Sequence, residues 1–258
     1  MSGDELSAVD QAELWDRLRA ASPARLALGR VGHAPPLGAV LAFQLDHARA
    51  RDAVHAPLDT AALAAGLAPL PSVVVASAAG ERATYLRRPD LGRRLAAASA
   101  AFLAQVDAGY DVAIVIGDGL SATGVQTGAA GLVRALVGEL DGLTLAPVVI
   151  ATGARVALGD EIGEILRARA TVMVIGERPG LTVADSLGIY LTFGPRVGRA
   201  DSERNCISNI HGAGGLSAGE AASLLGRLLR EALRRGLSGV DLKDDADGLP
   251  PPDAPLIT

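Results

Sequence analysis

Two short stretches of this sequence concentrate side chains able to do chemistry: Gly176-Glu177-Arg178-Pro179-Gly180-Leu181 and Arg204-Asn205-Cys206-Ile207-Ser208-Asn209-Ile210-His211. The first follows Thr171-Val172-Met173-Val174-Ile175, an apolar run that reads as a parallel strand buried on both faces. Glu177 and Arg178 therefore stand just past a strand's carboxyl end, the edge at which open α/β sheets bind ligands. A carboxylate there accepts hydrogen bonds from a ligand's amides or hydroxyls. Position alone leaves that role balanced against a helix cap or an ion pair with Arg178 or Arg155. The second stretch packs the only cysteine, two asparagines, a serine and a histidine into eight residues. Such a density of hydrogen-bonding groups is expected on a loop that meets a polar ligand.

Other constellations weigh less. On composition, Cys206 is expected to be a small buried hydrophobe rather than a nucleophile, since only Arg204 beside it is basic. Asp118 follows a second apolar run, Val112 to Ile116, and is expected at the same ligand-facing edge. Gly117 to Gly124 lacks the spacing of a dinucleotide fingerprint, no Walker phosphate loop is found, and no Gly-x-Ser-x-Gly elbow supports a hydrolase. His47 and His55 are two helical turns apart, and no metal site is expected from the four histidines. No Asp-x-His-x-x-Gly motif occurs, so His211 lacks the carboxylate that would orient it as a metal ligand.

The elements that must position these residues alternate. Val9, Leu14, Trp15 and Leu18 predict a short amphipathic helix over 9–20, and Leu37 to Val54 a second one, separated by a Gly/Pro-rich stretch. Strands are expected at Val73–Ala76, Val112–Ile116, Val148–Ile150, Thr171–Ile175 and Ile189–Thr192. Helices are expected from Pro89 to about Val106, from a Ser121 cap to Leu140, over Gly159–Arg169 and over Ser217–Arg235. This order implies an α/β fold with a doubly wound, mostly parallel, Rossmann-like sheet and an N-terminal helical arm. The expected organisation is an arm and linker over 1–36, an α/β domain over 37–242 that opens with a helical segment at 37–70, and a disordered tail over 243–258.

Bulk properties narrow the function. A net charge of −5 argues against a nucleic-acid partner, which requires clustered Lys and Arg. One cysteine excludes an internal disulfide and fits a reducing compartment. Aromatics are only 3%, so the core must be built from small aliphatic residues that let helices lie close to a sheet. No apolar stretch approaches the roughly 20 residues of a membrane span, and the acidic N-terminus does not resemble a signal peptide, so a cytoplasmic protein is expected.

The two opening stretches resemble the small subunit, or light chain, of ethanolamine ammonia-lyase. Ser22-Pro23-Ala24-Arg25 with Gly29-Arg30, Asp46-His47-Ala48-Arg49 and Asp52-Ala53-Val54 look like its early segment. Arg88-Pro89-Asp90-Leu91-Gly92-Arg93-Arg94-Leu95, Asp118-Gly119-Leu120-Ser121-Ala122, Arg155-Val156 and Asp185-Ser186-Leu187 continue it in order, and the likeness ends near Ser238-Gly239. Each piece alone is weak; the ordered set is specific. The resemblance implies adenosylcobalamin as cofactor, with contacts at Val156, Glu177 and Cys206, and a separate large subunit that holds the substrate and the catalytic side chains. It implies no catalytic residue and no metal ligand in this chain, and radical deamination of ethanolamine to acetaldehyde and ammonia as the reaction. Val156 would contribute through its backbone, Glu177 as an acceptor for the corrin's amide arms, and Cys206 as a compact residue at the corrin edge. Whether the arm directs the protein to a bacterial microcompartment stays open. Two other classes are carried beside this one: a stand-alone Rossmann-like nucleotide-binding oxidoreductase, which lacks its fingerprint, and a non-catalytic scaffold subunit.

Overall fold

Runs of β-branched residues build the centre of a six-stranded sheet in a computed structural model whose described residues are 8–22 and 24–243. The strands are β1 (Ser72–Ala76), β2 (Val112–Gly117), β3 (Val148–Thr152), β4 (Ala170–Gly176), β5 (Leu187–Phe193) and β6 (Arg204–Ile210), in the spatial order β1-β3-β2-β4-β5-β6. The first four in that order are mutually parallel; β5 runs antiparallel to β4, and β6 to β5. Every residue of β2 and β4 is buried, as a strand covered on both faces requires.

The cover comes from helices α1 (Ala8–Ala21), α2 (Leu37–His55), α3 (Thr60–Leu67), α4 (Arg82–Arg87), α5 (Ala97–Leu103), α6 (Ala122–Gly138), α7 (Leu158–Ile165) and α8 (Ala218–Arg235). Alternation along β2 sends Ile114 and Ile116 to one face, where they share a core with Leu63 of α3, Leu132 of α6 and Leu225 and Leu229 of α8. Ala113 and Val115 point the other way, to Leu103 of α5 and Leu158 and Ile162 of α7. Two cores flank one sheet, which is the doubly wound arrangement expected. Helix α8 shows why its boundaries were readable. Ser217 and Glu220 form a reciprocal capping box, and Gly236, at φ 74°, ends the helix in the left-handed region. Ser121 likewise caps α6 by accepting from the Gly124 amide.

Three expectations need correction. The helix expected over Pro89–Val106 is broken, with a single turn at Leu91–Arg93 and α5 beginning only at Ala97. Between them the chain is extended against the end of β1: the Ala78 amide donates to the Arg94 carbonyl, and the Ala96 amide to that of Ala76. Helix α4 was not foreseen, whereas α3 falls within the helical segment expected at 37–70. The stretch 204–210, read as a loop, is the edge strand β6. Its buried residues, Arg204, Ile207 and Ile210, recur every three positions instead of two, because the β5–β6 ladder is irregular between Leu187 and Ile189 and Asn209 adopts φ 63°. Apart from Lys243, the tail expected to be disordered lies outside the described residues. Among the described residues no helix is long and apolar enough to cross a membrane.

Candidate functional site

The carboxyl ends of β2, β3 and β4 open onto a groove. Glycine makes this possible at the end of β4. A Cβ on Gly176 would lie 2.2 Å from the Ser121 carbonyl oxygen, and one on Gly119, at φ 55°, 2.1 Å from the Gly176 carbonyl oxygen. The turn between β2 and α6 therefore lies directly on the strand end, fastened by the Leu120 amide donating to the Gly176 carbonyl at 3.0 Å.

Glu177 emerges from this junction. The Ser186 hydroxyl donates to its Oε2 at 2.6 Å, and the Asn209 amide approaches both carboxylate oxygens at 3.3 and 3.4 Å. The carboxylate thus ties β4 to the loop before β5 and to β6. Neither Arg178 nor Arg155 pairs with it among the described residues; Arg178 is exposed, and Arg155 is turned onto an aromatic ring.

That ring belongs to Tyr85 of α4, which sequence reasoning missed. Tyr85 is fully buried, its hydroxyl donates to the Ala154 carbonyl at 3.0 Å, and the guanidinium carbons of Arg82 and Arg155 lie 4.7 and 4.4 Å from its ring centre. Burial pushes its phenol up to about 12, although Arg155 acts against the rise. The scarcity of tyrosine was the only signal in the sequence. Asp118 does not face a ligand. It is buried, accepts from the Gly153 and Ala154 amides at 3.0 and 2.9 Å, and pairs with Arg82 at 3.2 Å. Burial raises its carboxyl above the usual range, opposed by those amides and by Arg82. Its work is to lock the ends of β2 and β3 together.

The groove consists of two adjoining cavities. One, of ≈ 410 Å³, is lined by Leu120, Arg155, Val156, Glu177 and Tyr190 among others; the next, of ≈ 290 Å³, by Arg93, Arg155, Val156, Tyr190, Arg204 and Cys206 among others. Arg155, Val156 and Tyr190 belong to both. Val156, Glu177 and Cys206, from three separate elements, therefore share one concave surface.

Cys206 is exposed on the open side of β6, not buried as composition suggested. It faces Tyr190 across the antiparallel pair. Partial desolvation pushes its thiol up, and the charge of Glu177 adds to this, while the hydrogen bond with Tyr190 works the other way. Tyr190 is itself pushed up to about 12, first by desolvation and then by that same bond. A thiol held in its neutral form is no nucleophile. His211 stands elsewhere. Its Nδ1 accepts from the Ala213 amide at 3.1 Å, which places the ring proton on Nε2, 2.9 Å from Asn209 Oδ1. It lines a separate cavity of ≈ 450 Å³ with Thr127, Asp185 and Ser217.

The arrangement suits a large polar ligand laid along the strand ends. Glu177 offers an acceptor at one end and Arg93 a donor at the other, Arg155 reaches both cavities, and Leu120, Val156 and Tyr190 supply apolar surface between them. The ethanolamine ammonia-lyase light chain (EutC) family model matches residues 12–243. Similar proteins include the ethanolamine ammonia-lyase small subunit of Xanthomonas campestris pv. campestris, 53% identical over 243 residues and covering 91% of this chain and 89% of the relative. That of Azotobacter vinelandii is 53% identical over 241 residues, with 90% and 89% covered. That of Bradyrhizobium diazoefficiens is 55% identical over 235 residues, with 89% and 90% covered.

Proposed function

This chain belongs to the ethanolamine ammonia-lyase light-chain family, and on that premise we propose that it forms one wall of an adenosylcobalamin site closed by a separate large subunit. The observation that carries the reading is the convergence of Val156, Glu177 and Cys206 on one groove. These positions, 50 residues apart from first to last, are the ones the family resemblance singles out.

The residues present fit the group. A corrin bears carboxamide arms whose NH₂ groups need acceptors, and Glu177 is a charged acceptor already oriented by Ser186 and Asn209. The buried Nε of Arg155 has no acceptor among the described residues. Cavities of ~300–1,000 Å³ serve drug-sized ligands; a corrinoid is larger, so cavities of ≈ 410 and ≈ 290 Å³ can only contact one side of it. A second chain must cover the rest. When bound, the cofactor supplies the initiating radical by homolysis of its cobalt–carbon bond. The part of this chain is positional: the strand ends hold Glu177 and Val156 rigidly, and β6 brings Cys206 to the rim. Its groove holds no acid–base pair matched to ethanolamine, so substrate chemistry is assigned to the large subunit.

The test is reconstitution. The purified chain alone should release no acetaldehyde from ethanolamine; with its large subunit and adenosylcobalamin it should. Equal turnover by the isolated chain would overturn the division of labour. In the complex, Glu177→Ala should weaken cobalamin binding by about 1.5–3 kcal/mol, the value of a charge-assisted bond. Unchanged affinity in a folded complex would make Glu177 a purely structural tie between β4 and β6.

A further inference from the structure

Three arginines line the cavity beside Cys206, and they differ in what they touch. Arg204 is spoken for: it grips Asp160 through two bonds of 2.5 and 2.7 Å, and its Nε lies 3.5 Å from Asp201. The side chains of Arg93 and Arg155 make neither a hydrogen bond nor an ion pair among the described residues. Elsewhere along this edge Arg82 is matched with Asp118, Arg94 with Glu161 and Arg199 with Glu203, while Arg178 is exposed.

The two unmatched arginines are held next to each other. The Arg155 amide donates to the Gly92 carbonyl at 2.8 Å, and a Cβ on Gly92 would lie 2.9 Å from Arg155 Cγ. No side chain at position 92 can come between them. The Arg155 guanidinium carbon lies over the Tyr85 ring, 4.4 Å from its centre, with the Nε buried and without an acceptor among the described residues. A planar guanidinium beside a second, exposed one matches the tetrahedral oxygens of a phosphate. Asp201, which lines this cavity, and Asp160 are both directed to Arg204. Among the described residues no carboxylate pairs with Arg93 or Arg155.

We propose that Arg93 and Arg155 seat the phosphodiester of the cofactor's nucleotide loop, so that this chain selects complete cobalamin over corrinoids lacking that loop. The inference rests on the cobalamin reading given above. The corrin's arms are neutral amides, and the phosphodiester is the only anionic group on the periphery of the molecule. The two ends of the groove differ: Glu177, an acceptor that repels anions, lines one cavity with Arg155 and the exposed Arg178, and the cavity beside Cys206 brings Arg155 together with Arg93 instead.

The experiment uses the complex with the large subunit and measures equilibrium binding by the corrinoid's absorbance. Three ligands are compared: cyanocobalamin, cobinamide phosphate, and cobinamide, which keeps the corrin and its amides but has no phosphate. Arg93→Ala and Arg155→Gln should each weaken cyanocobalamin and cobinamide phosphate about tenfold or more, and leave cobinamide unchanged. Arg93 is exposed and unbonded, so its removal leaves the fold intact and keeps the test decisive if Arg155→Gln fails to fold. Equal loss for all three ligands, no loss for any, or dissociation of the subunits in Arg93→Ala would each overturn the proposal. Failure of the unaltered complex to bind any of the three would instead bring down the cobalamin reading itself, and this seat with it.

Discussion

The parallel part of the sheet and its antiparallel edge solve different problems. Strands β2 and β4 are buried along their whole length, whereas β6 leaves Cys206, Ser208 and Asn209 exposed. The parallel strands end in a frame with little freedom: Asp118 locks β2 to β3, and Gly119 and Gly176 let two backbones touch. The edge strand is fastened to that frame by polar groups, Glu177 to Asn209 and Asp160 to Arg204. A site assembled across the two can keep one wall fixed while it presents an open rim to a large ligand and a second chain.

The sharpest way to break this comparison is to cut the buried tie. The Arg204 side chain is only 2% exposed, donates to both oxygens of Asp160 and to the Thr192 hydroxyl, and reaches the Arg199 carbonyl. Burial works most strongly against its charge, but its bonds to Asp160 together with the charges of Asp160 and Asp201 raise its pKa. Arg204→Met would strand Asp160 as an uncompensated buried charge, at a cost of about 3–5 kcal/mol. Urea denaturation should show that loss, and Asp160→Leu added to Arg204→Met should recover most of it. A loss below about 1 kcal/mol, within the range of exposed pairs, would mean that β6 is not anchored through this pair.

Cavity-forming substitutions sharpen the same contrast at lower cost. Ile116 in β2 is fully buried, and Ile207 in β6 is nearly so. Ile116→Ala should cost about 2–5 kcal/mol. Ile207→Ala should fall at the low end of that range, because an edge strand can shift to close the void. Equal losses by thermal or urea unfolding would show that the edge is as rigid as the centre.

The same contrast explains what was legible in the sequence. Five strands of the sheet, β1 to β5, announce themselves as short apolar runs, and α6 and α8 carry caps at their first turns. The edge strand hides because its inward residues are spaced by three and one of them is an arginine. The helix expected after Pro89 failed because pairing of Arg94–Ala96 with the end of β1 overrides local helix preference. At the site, Glu177 was placed correctly at the end of β4, since a strand followed by a turn dictates that position. Its partners were not legible, because Ser186 and Asn209 come from other elements and only the folded sheet brings them near. Tyr85 was missed for the same reason: its role lies in stacking against Arg82 and Arg155, which are close only in space.

The smallest effect expected concerns the thiol at the rim. Cys206 is the only cysteine, so alkylation by iodoacetamide reports on it alone. Exposure would make it easy to label, but the thiolate is the reacting form. Desolvation beside Tyr190 raises its pKa, and the Glu177 carboxylate adds to the rise. The labelling rate should therefore climb with pH through a midpoint above about 8.5, the ordinary thiol value. Glu177→Gln removes one of the two raising causes, so it should move that midpoint down slightly without bringing it to the ordinary value. A midpoint at or below about 8.5 in the unaltered chain would show that the Tyr190 hydrogen bond outweighs desolvation. The edge would then carry an activated thiol where the frame beside it carries none.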